Sequence, residues 1–231
     1  MQNLDSVVGC ASFKFVQGSI LSPDLVKHVV AVEEIDTVMH FAAETHVDNS
    51  FGNSFAFTET NVIGTHILLE VSRLSKTVKR FLHVSTDEVY GESSFLCDAS
   101  NIESVSVLSP TNPYSASKAA AEMLVLAYST SYNVPYIITR GNNVYGPRQF
   151  PEKAIPKFIK RLKMNKSIPI HGSGTSLRSY MHVRDAASAF DHVLHLGEDN
   201  NVYNIGAHEE RSVLSVAEVS ASSNLRANVT S

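Results

Sequence analysis

Short β-branched and aromatic runs alternate with longer segments of helical period along this chain, and that alternation is the signature of βαβ units and a parallel sheet. Residues 13–17 read as a strand and residues 23–32 as a helix, with Ser22 as its N-cap and Pro23 in its first turn. Residues 37–41 form a second, near-continuously apolar strand, as expected of one buried on both faces. Residues 55–74 read as one long helix, 81–85 as a third strand and 136–139 as a fourth. Asn112 caps a helix that opens with Pro113 and runs to about Thr130. The serine-rich stretch 92–109 reads as a surface loop. After Gly146 the elements shorten, as in a smaller second lobe. The expected division is therefore an α/β sheet domain over residues 1–145, a partial α/β lobe over 146–221 and a frayed tail over 222–231.

Composition narrows the function. Nineteen basic side chains against 23 acidic ones give a net charge of −4, so the chain as a whole offers no general attraction to nucleic acid or to an anionic membrane. The longest uninterrupted apolar run, residues 123–128, is far short of the ~20 residues that span a bilayer. The first ten residues carry no signal-peptide pattern. Cys10 and Cys97 are isolated, as expected of reduced, buried thiols in the cytoplasm. The ten histidines show no metal-ligand spacing, so no metal is expected.

Two short stretches carry chemistry. In Tyr114-Ser115-Ala116-Ser117-Lys118 a spacing of four puts a phenol and an ammonium on one helix face. A nearby cation favours the phenolate, which makes Tyr114 a candidate base. A surface pair has the same spacing. Ser85-Thr86-Asp87-Glu88-Val89-Tyr90-Gly91 leaves the end of an apolar strand, where ligands bind in open parallel sheets. Two carboxylates there become acid and base once their environments separate their pKa values. A capped turn with solvated acids would read alike.

Taken together, Thr86, Tyr114 and Lys118 resemble the catalytic triad of the extended short-chain dehydrogenase/reductase superfamily. Asp87 and Glu88 beside that threonine are similar to the pair in nucleotide-sugar 4,6-dehydratases, where the 4-epimerases usually carry small residues. The motifs His40-Phe41-Ala42-Ala43-Glu44-Thr45-His46-Val47-Asp48, Thr60-Asn61-Val62-Ile63-Gly64-Thr65, Arg140-Gly141-Asn142-Asn143-Val144-Tyr145-Gly146-Pro147 and Phe150-Pro151-Glu152-Lys153 extend the resemblance. His171-Gly172-Ser173-Gly174 leading to Arg178, and Tyr203-Asn204-Ile205-Gly206, complete it over roughly residues 13–215. Asp48-Asn49-Ser50-Phe51-Gly52-Asn53-Ser54-Phe55 and Arg140-Gly141-Asn142-Asn143 look most like the dehydratase domain of plant-type UDP-rhamnose synthases, with dTDP-glucose 4,6-dehydratases next.

The resemblance implies a Rossmann-like doubly wound sheet and NAD-dependent dehydration of UDP-glucose or dTDP-glucose to a 4-keto-6-deoxy sugar. It makes Tyr114 the base at the sugar C4 hydroxyl, Thr86 the holder of the C4 oxygen, and Lys118 the partner of the cofactor ribose. Glu88 would remove the C5 proton and Asp87 would protonate the departing C6 hydroxyl. Ser19, Ile20, Phe41, Ala42, Ala43, Glu44, Thr45, Thr60, Tyr114, Lys118 and Val144 would meet NAD. Thr45, Thr86, Asn143, Lys153, His171, Arg178 and Asn204 would meet the sugar nucleotide. A homodimer, or pairing with a homologue, through the helices 55–74 and the one bearing Tyr114 is also implied.

The sequence departs from that pattern in places. Ser19 stands where Asp is usual and Glu44 where Gln is usual. The eleven glycines include no G-x-G-x-x-G or G-x-x-G-x-x-G turn to receive a dinucleotide pyrophosphate. The expectation is a chain lacking the first βαβ (strands 1 and 2) and part of the second lobe, truncated at both ends and impaired in turnover. Residues 13–17 would then have no neighbour, and 37–41 would expose an apolar edge. Alternatives are a nucleotide-sugar 4-epimerase or decarboxylase, or a non-catalytic fragment that pairs with an intact homologue.

Overall fold

The structure, a computed structural model, describes residues 2–91, 102–103, 106–170, 172–207 and 209–229. The chain forms two compact units, one from Met1–Arg140 with Gly197–Tyr203 and one from Gly141–Leu196 with Asn204–Ser231.

The first unit carries a four-stranded sheet in the order β1-β2-β3-β6, with β1 Thr37–His40, β2 Arg80–Thr86, β3 Tyr136–Gly141 and β6 Asn201–Ile205. β1 and β2 run parallel, with Thr37 opposite Arg80 and His40 opposite His83. Helix α1, Pro23–Val32, leads into β1 and packs against α4, Gly64–Leu74. Helix α5, Pro113–Tyr132, covers β2. The core between them joins Leu69, Phe81, Val125, Tyr128, Val134, Tyr136 and Ile138.

Three expectations need correction. Residues 13–17 form no strand: among the described residues they join no sheet, Phe13 N–H donating instead to the Cys10 carbonyl and Lys14 pairing with Glu33, and Phe15 and Val16 are 52% and 41% exposed. An extended segment becomes a strand only by sharing its backbone hydrogen bonds with a neighbour. β1, expected to be buried on both faces, has Thr37, Val38 and Met39 only half-buried, while its place at the sheet edge is the one expected. The helix expected over 55–74 is interrupted. After α2, Val47–Gly52, come α3, Ser54–Phe57, a π-helical segment over Thr58–Ile63, and then α4.

Helix α5 matches its local signals. Asn112 and Ser115 form a reciprocal capping box ahead of Pro113, and Asn133 ends the helix in the left-handed region at φ 57°. Cys10, expected to be buried, is exposed, and Cys97 lies outside the described residues, as does most of the loop read over 92–109.

The second unit carries a sheet in the order β4-β5-β7, from Asn143–Tyr145, Leu177–His182 and Glu210–Ser212. β4 and β5 are parallel and β5 and β7 antiparallel. Helix α6, Ala154–Lys163, packs on α8, Val213–Val229, and α7, Val183–Leu196, follows β5 directly. α8 thus reaches into the segment 222–231. Among the described residues no helix is long and apolar enough to cross a membrane.

Candidate active site

The site grows from the carboxyl end of β2. Thr86 is its last residue, and the backbone then turns into a single 3₁₀ turn, Asp87–Tyr90. The Thr86 hydroxyl caps that turn by accepting from the Glu88 N–H at 3.3 Å, and it donates to Asp87 Oδ1 at 3.2 Å. The turn closes at Gly91, whose φ of +78° and approach to the Ser109 carbonyl leave no room for a Cβ.

Helix α5 brings the second half. The Asn112 side chain accepts from Ser115 N–H at 2.9 Å and donates to Glu88 Oε2 at 3.3 Å, so one residue both starts the helix and holds the carboxylate. Tyr114, 8% exposed, hydrogen-bonds with Thr86. Thr86, Asp87, Glu88 and Tyr114 are therefore one cluster.

The electrostatics of Tyr114 are not those expected from spacing alone. Burial first, then the charges of Glu88 and Asp87, push its pKa up, and the hydrogen bond with Thr86 is the one opposing influence. Lys118 lies one turn on, buried, and its Nζ donates to the Val84 carbonyl at 2.7 Å. Burial lowers its pKa to about 8, against a raising influence from Glu122. Both groups are pressed toward their neutral forms, because removing either charge from water is costly.

Asn61, to which the sequence alone gave no role, ties the loop after β1 to this helix. It is buried within the π-helical segment, where its Oδ1 accepts from Glu44 N–H at 2.8 Å and its Nδ2 donates to the Glu44 carbonyl at 3.0 Å. Nδ2 also donates to Ser117 Oγ at 2.8 Å, and Ser117 Oγ donates to the Tyr114 carbonyl at 2.7 Å. Residues 41–45 after β1 are thereby linked to α5 between Tyr114 and Lys118. π segments recur at functional sites. The sequence signal for this one was the polar run Thr58-Glu59-Thr60-Asn61 inside an amphipathic helical pattern.

Other residues singled out from the sequence are placed as follows. Phe41 is 53% exposed, Thr45 is exposed, and Thr60 is half-buried in the π segment. Ser19 Oγ accepts from Leu21 N–H, and the Ile20 side chain packs closely over Gly64, where a Cβ would displace it. Asn143 and Val144 lie on β4, Lys153 is the N-cap of α6, Arg178 lies on β5 and Asn204 on β6. Arg178 Nη1 donates to the Leu177 carbonyl at 2.8 Å. These five belong to the second unit, and His171 lies outside the described residues. Among the described residues no cluster of His, Cys, Asp and Glu could hold a metal ion.

Behind the cluster stand two buried histidines, His40 on β1 and His83 on β2, with ring centroids 5.4 Å apart. Thr65 Oγ1 donates to the Asn61 carbonyl at 2.6 Å, so His40 Nε2, 2.9 Å from the same oxygen, carries the hydrogen. Neither ring nitrogen of His83 has a hydrogen-bond partner among the described residues.

Comparison with known proteins gives this arrangement a family. Residues 2–206 match the family described as the NAD dependent epimerase/dehydratase family. The chain belongs to that family. Its fold is accordingly Rossmann-like, a parallel sheet clothed by helices. It is 58% identical over 217 residues to a trifunctional UDP-glucose 4,6-dehydratase/UDP-4-keto-6-deoxy-D-glucose 3,5-epimerase/UDP-4-keto-L-rhamnose-reductase of Arabidopsis thaliana, matching 94% of this chain and 32% of that one. It is 46% identical to the human dTDP-D-glucose 4,6-dehydratase, matching 94% of this chain and 61% of that one. A crystal structure of a dTDP-glucose 4,6-dehydratase double mutant from Streptomyces venezuelae, solved with NAD bound, superimposes with a TM-score of 0.90 at 36% identity. That match covers 96% of this chain and 67% of the other. The chain thus spans about a third of the plant family member and three fifths of the human one.

Proposed function

We propose that the chain carries out the dehydration of a nucleoside-diphosphate glucose to its 4-keto-6-deoxy sugar, with NAD as cofactor. The observation that carries this reading is the Asp87–Glu88 pair held beside Thr86 and Tyr114 at the end of β2. A 4-epimerase needs one base at C4, and a carboxylate pair next to it serves a second proton transfer. The Arabidopsis relative is named for UDP-glucose at 58% identity and the human one for dTDP-glucose at 46%, which favours uracil as the base.

The residues present suit one half of NAD. Residues 41–45, pinned by Asn61, with Thr60, Tyr114 and Lys118, surround the carboxyl ends of β1 and β2, where the nicotinamide ribose belongs in this sheet type. Ser19 and Ile20 are assigned to the adenine side, and Val144 is also assigned to the cofactor. For the pyrophosphate no glycine-rich turn precedes a helix among the described residues, since α1 opens with Ser22 and Pro23. Thr45, Asn143, Lys153, His171, Arg178 and Asn204 are assigned to the sugar nucleotide. When bound, NAD supplies a hydride acceptor and later returns the hydride.

Tyr114 takes the C4 hydroxyl proton while Thr86 holds the C4 oxygen. The ketone at C4 acidifies the C5 hydrogen, which Glu88 removes, and Asp87 gives a proton to the departing C6 hydroxyl. A protonated Asp87 also removes one of the two charges that hold Tyr114 in its phenol form, so loading the acid prepares the base. Each such transfer contributes ~10²–10⁴-fold.

We further infer a homodimer, or pairing with a homologue, through residues 55–74 and α5, supported by exposed Ile63 in the first and exposed Met123 and Tyr132 in the second, at 47%, 50% and 52%. The cytoplasm is the inferred compartment, on the argument from isolated thiols. The test is a single variant. Glu88→Gln is expected to abolish solvent deuterium entry at C5 and to lower kcat by about 10²–10⁴-fold, with nucleotide-sugar affinity kept. Undiminished exchange in that variant overturns the assignment.

A further inference from the structure

Charge is distributed unevenly along this chain. Residues 153–166 hold Lys153, Lys157, Lys160, Arg161, Lys163 and Lys166 with no Asp or Glu. Six of the 19 basic residues thus fall in one short stretch, leaving 13 against 23 acidic residues elsewhere. Most of that stretch is helix α6, whose two faces have different tasks. Phe158, 3% exposed, with half-buried Ile155 and Leu162, is turned inward, and α6 packs on α8. Lys157, Lys160 and Lys163, three residues apart and all exposed, run along the other side, with exposed Lys166 just beyond. Met164 and Ile159, 53% and 43% exposed, interleave with them. No acidic side chain pairs with these four lysines among the described residues.

We propose that this lysine face of α6 is a docking surface for anionic lipid bilayers. The composition of the face selects that occupant. Arg161, whose planar fork would read a phosphate group bidentately, is half-buried and donates through Nε to the Ser167 carbonyl. What remains exposed is a row of lysine point charges, and the one aromatic ring on the helix, Phe158, is buried and cannot stack a base, which disfavours RNA. A row of mobile ammonium groups with apolar side chains between them suits diffuse attraction to headgroups and shallow contact with the acyl boundary. The buried face of α6 is already taken by α8, so the adsorption is electrostatic and reversible.

The test is sedimentation of the 231-residue chain with vesicles of phosphatidylcholine, alone or with about 30% phosphatidylserine, at low and high salt. Partition onto the anionic vesicles is expected to exceed that onto neutral ones by on the order of 10²-fold at low salt and to vanish at high salt. The variant K157Q/K160Q/K163Q should lose this preference. K27Q/K76Q/K79Q, which removes three exposed lysines elsewhere, should keep it. Equal partition onto both vesicle types, or equal loss in both variants, overturns the proposal. So does retention of single-stranded polyuridine through these lysines without vesicle binding, which would make the face a nucleic-acid surface.

Discussion

Tyr114 and Lys118 stand four residues apart on α5, yet burial moves their pKa values in opposite directions, the phenol up and the ammonium down to about 8. Spacing made the pair legible in the sequence. The direction of its shifts was not, because that depends on how deeply α5 sinks against β2 and on where Lys118 Nζ points. The consequence is an alkaline limb: dehydration should decline as pH rises through about 8, where a free lysine would hold its charge to 10.5, and product formation measured from about pH 6 to 10 checks it. The histidines behind the site set the acid side. Burial, with the charge of Lys118, lowers His40 to about 3 and places His83 well below its ordinary value. The unfolded chain then takes up protons first as pH falls below 6.5, so stability is full above that value and lost progressively toward pH 3. The loss is about 1.4 kcal/mol per pH unit per histidine. His83→Leu, which removes two unpartnered ring nitrogens, should leave stability at neutral pH unchanged or higher and make acid melts shallower.

At the scale of elements, the helices with strong local signals were readable and those made by tertiary contact were not. The Asn112 cap with Pro113 marked the start of α5 and Pro23 that of α1, where Ser22 stands at the N-cap without a side-chain hydrogen bond, because caps and N-terminal prolines act locally. The π segment at Thr58–Ile63 depends on Asn61 reaching Glu44 and Ser117, partners 17 and 56 residues away, which no periodicity encodes. Helix α2 and strands β4 and β7, at six and three residues, are too short for a period to show. Asn112 joins both kinds of signal. Asn112→Ala should cost about 1 kcal/mol of stability and slow the reaction. Asn112→Ser, which keeps a cap but cannot donate as the amide does to Glu88, should keep most of the stability while the rate still falls; melts and kcat on the same samples separate the two. Beneath α5, Arg140 grips Glu122 at 2.7 Å and the Tyr90 hydroxyl at 2.8 Å, all buried. Arg140→Met alone should cost about 3–5 kcal/mol in denaturant melts by stranding a buried carboxylate, and Glu122→Met with Arg140→Met should recover much of it.

For the molecule as a whole, the sheet order β1-β2-β3-β6 puts β1 at the edge, as the sequence implied, and leaves residues 13–17 outside the sheet, where a strand had been expected. Membership of the NAD dependent epimerase/dehydratase family follows from motifs spread over most of the chain, so it survived every local misreading. Charge behaved otherwise: the net value of −4 concealed a basic face on α6, because a sum carries no position. The central claim concerns two proton transfers beside one ketone, and it is tested most directly by product identity. The purified chain is incubated with NAD and UDP-glucose, and the sugar nucleotide is weighed by mass spectrometry. The account predicts a product lighter by one water, with no net NADH, that disappears in the Tyr114→Phe variant. A C4 epimer of unchanged mass, or no conversion by folded chain, would contradict it.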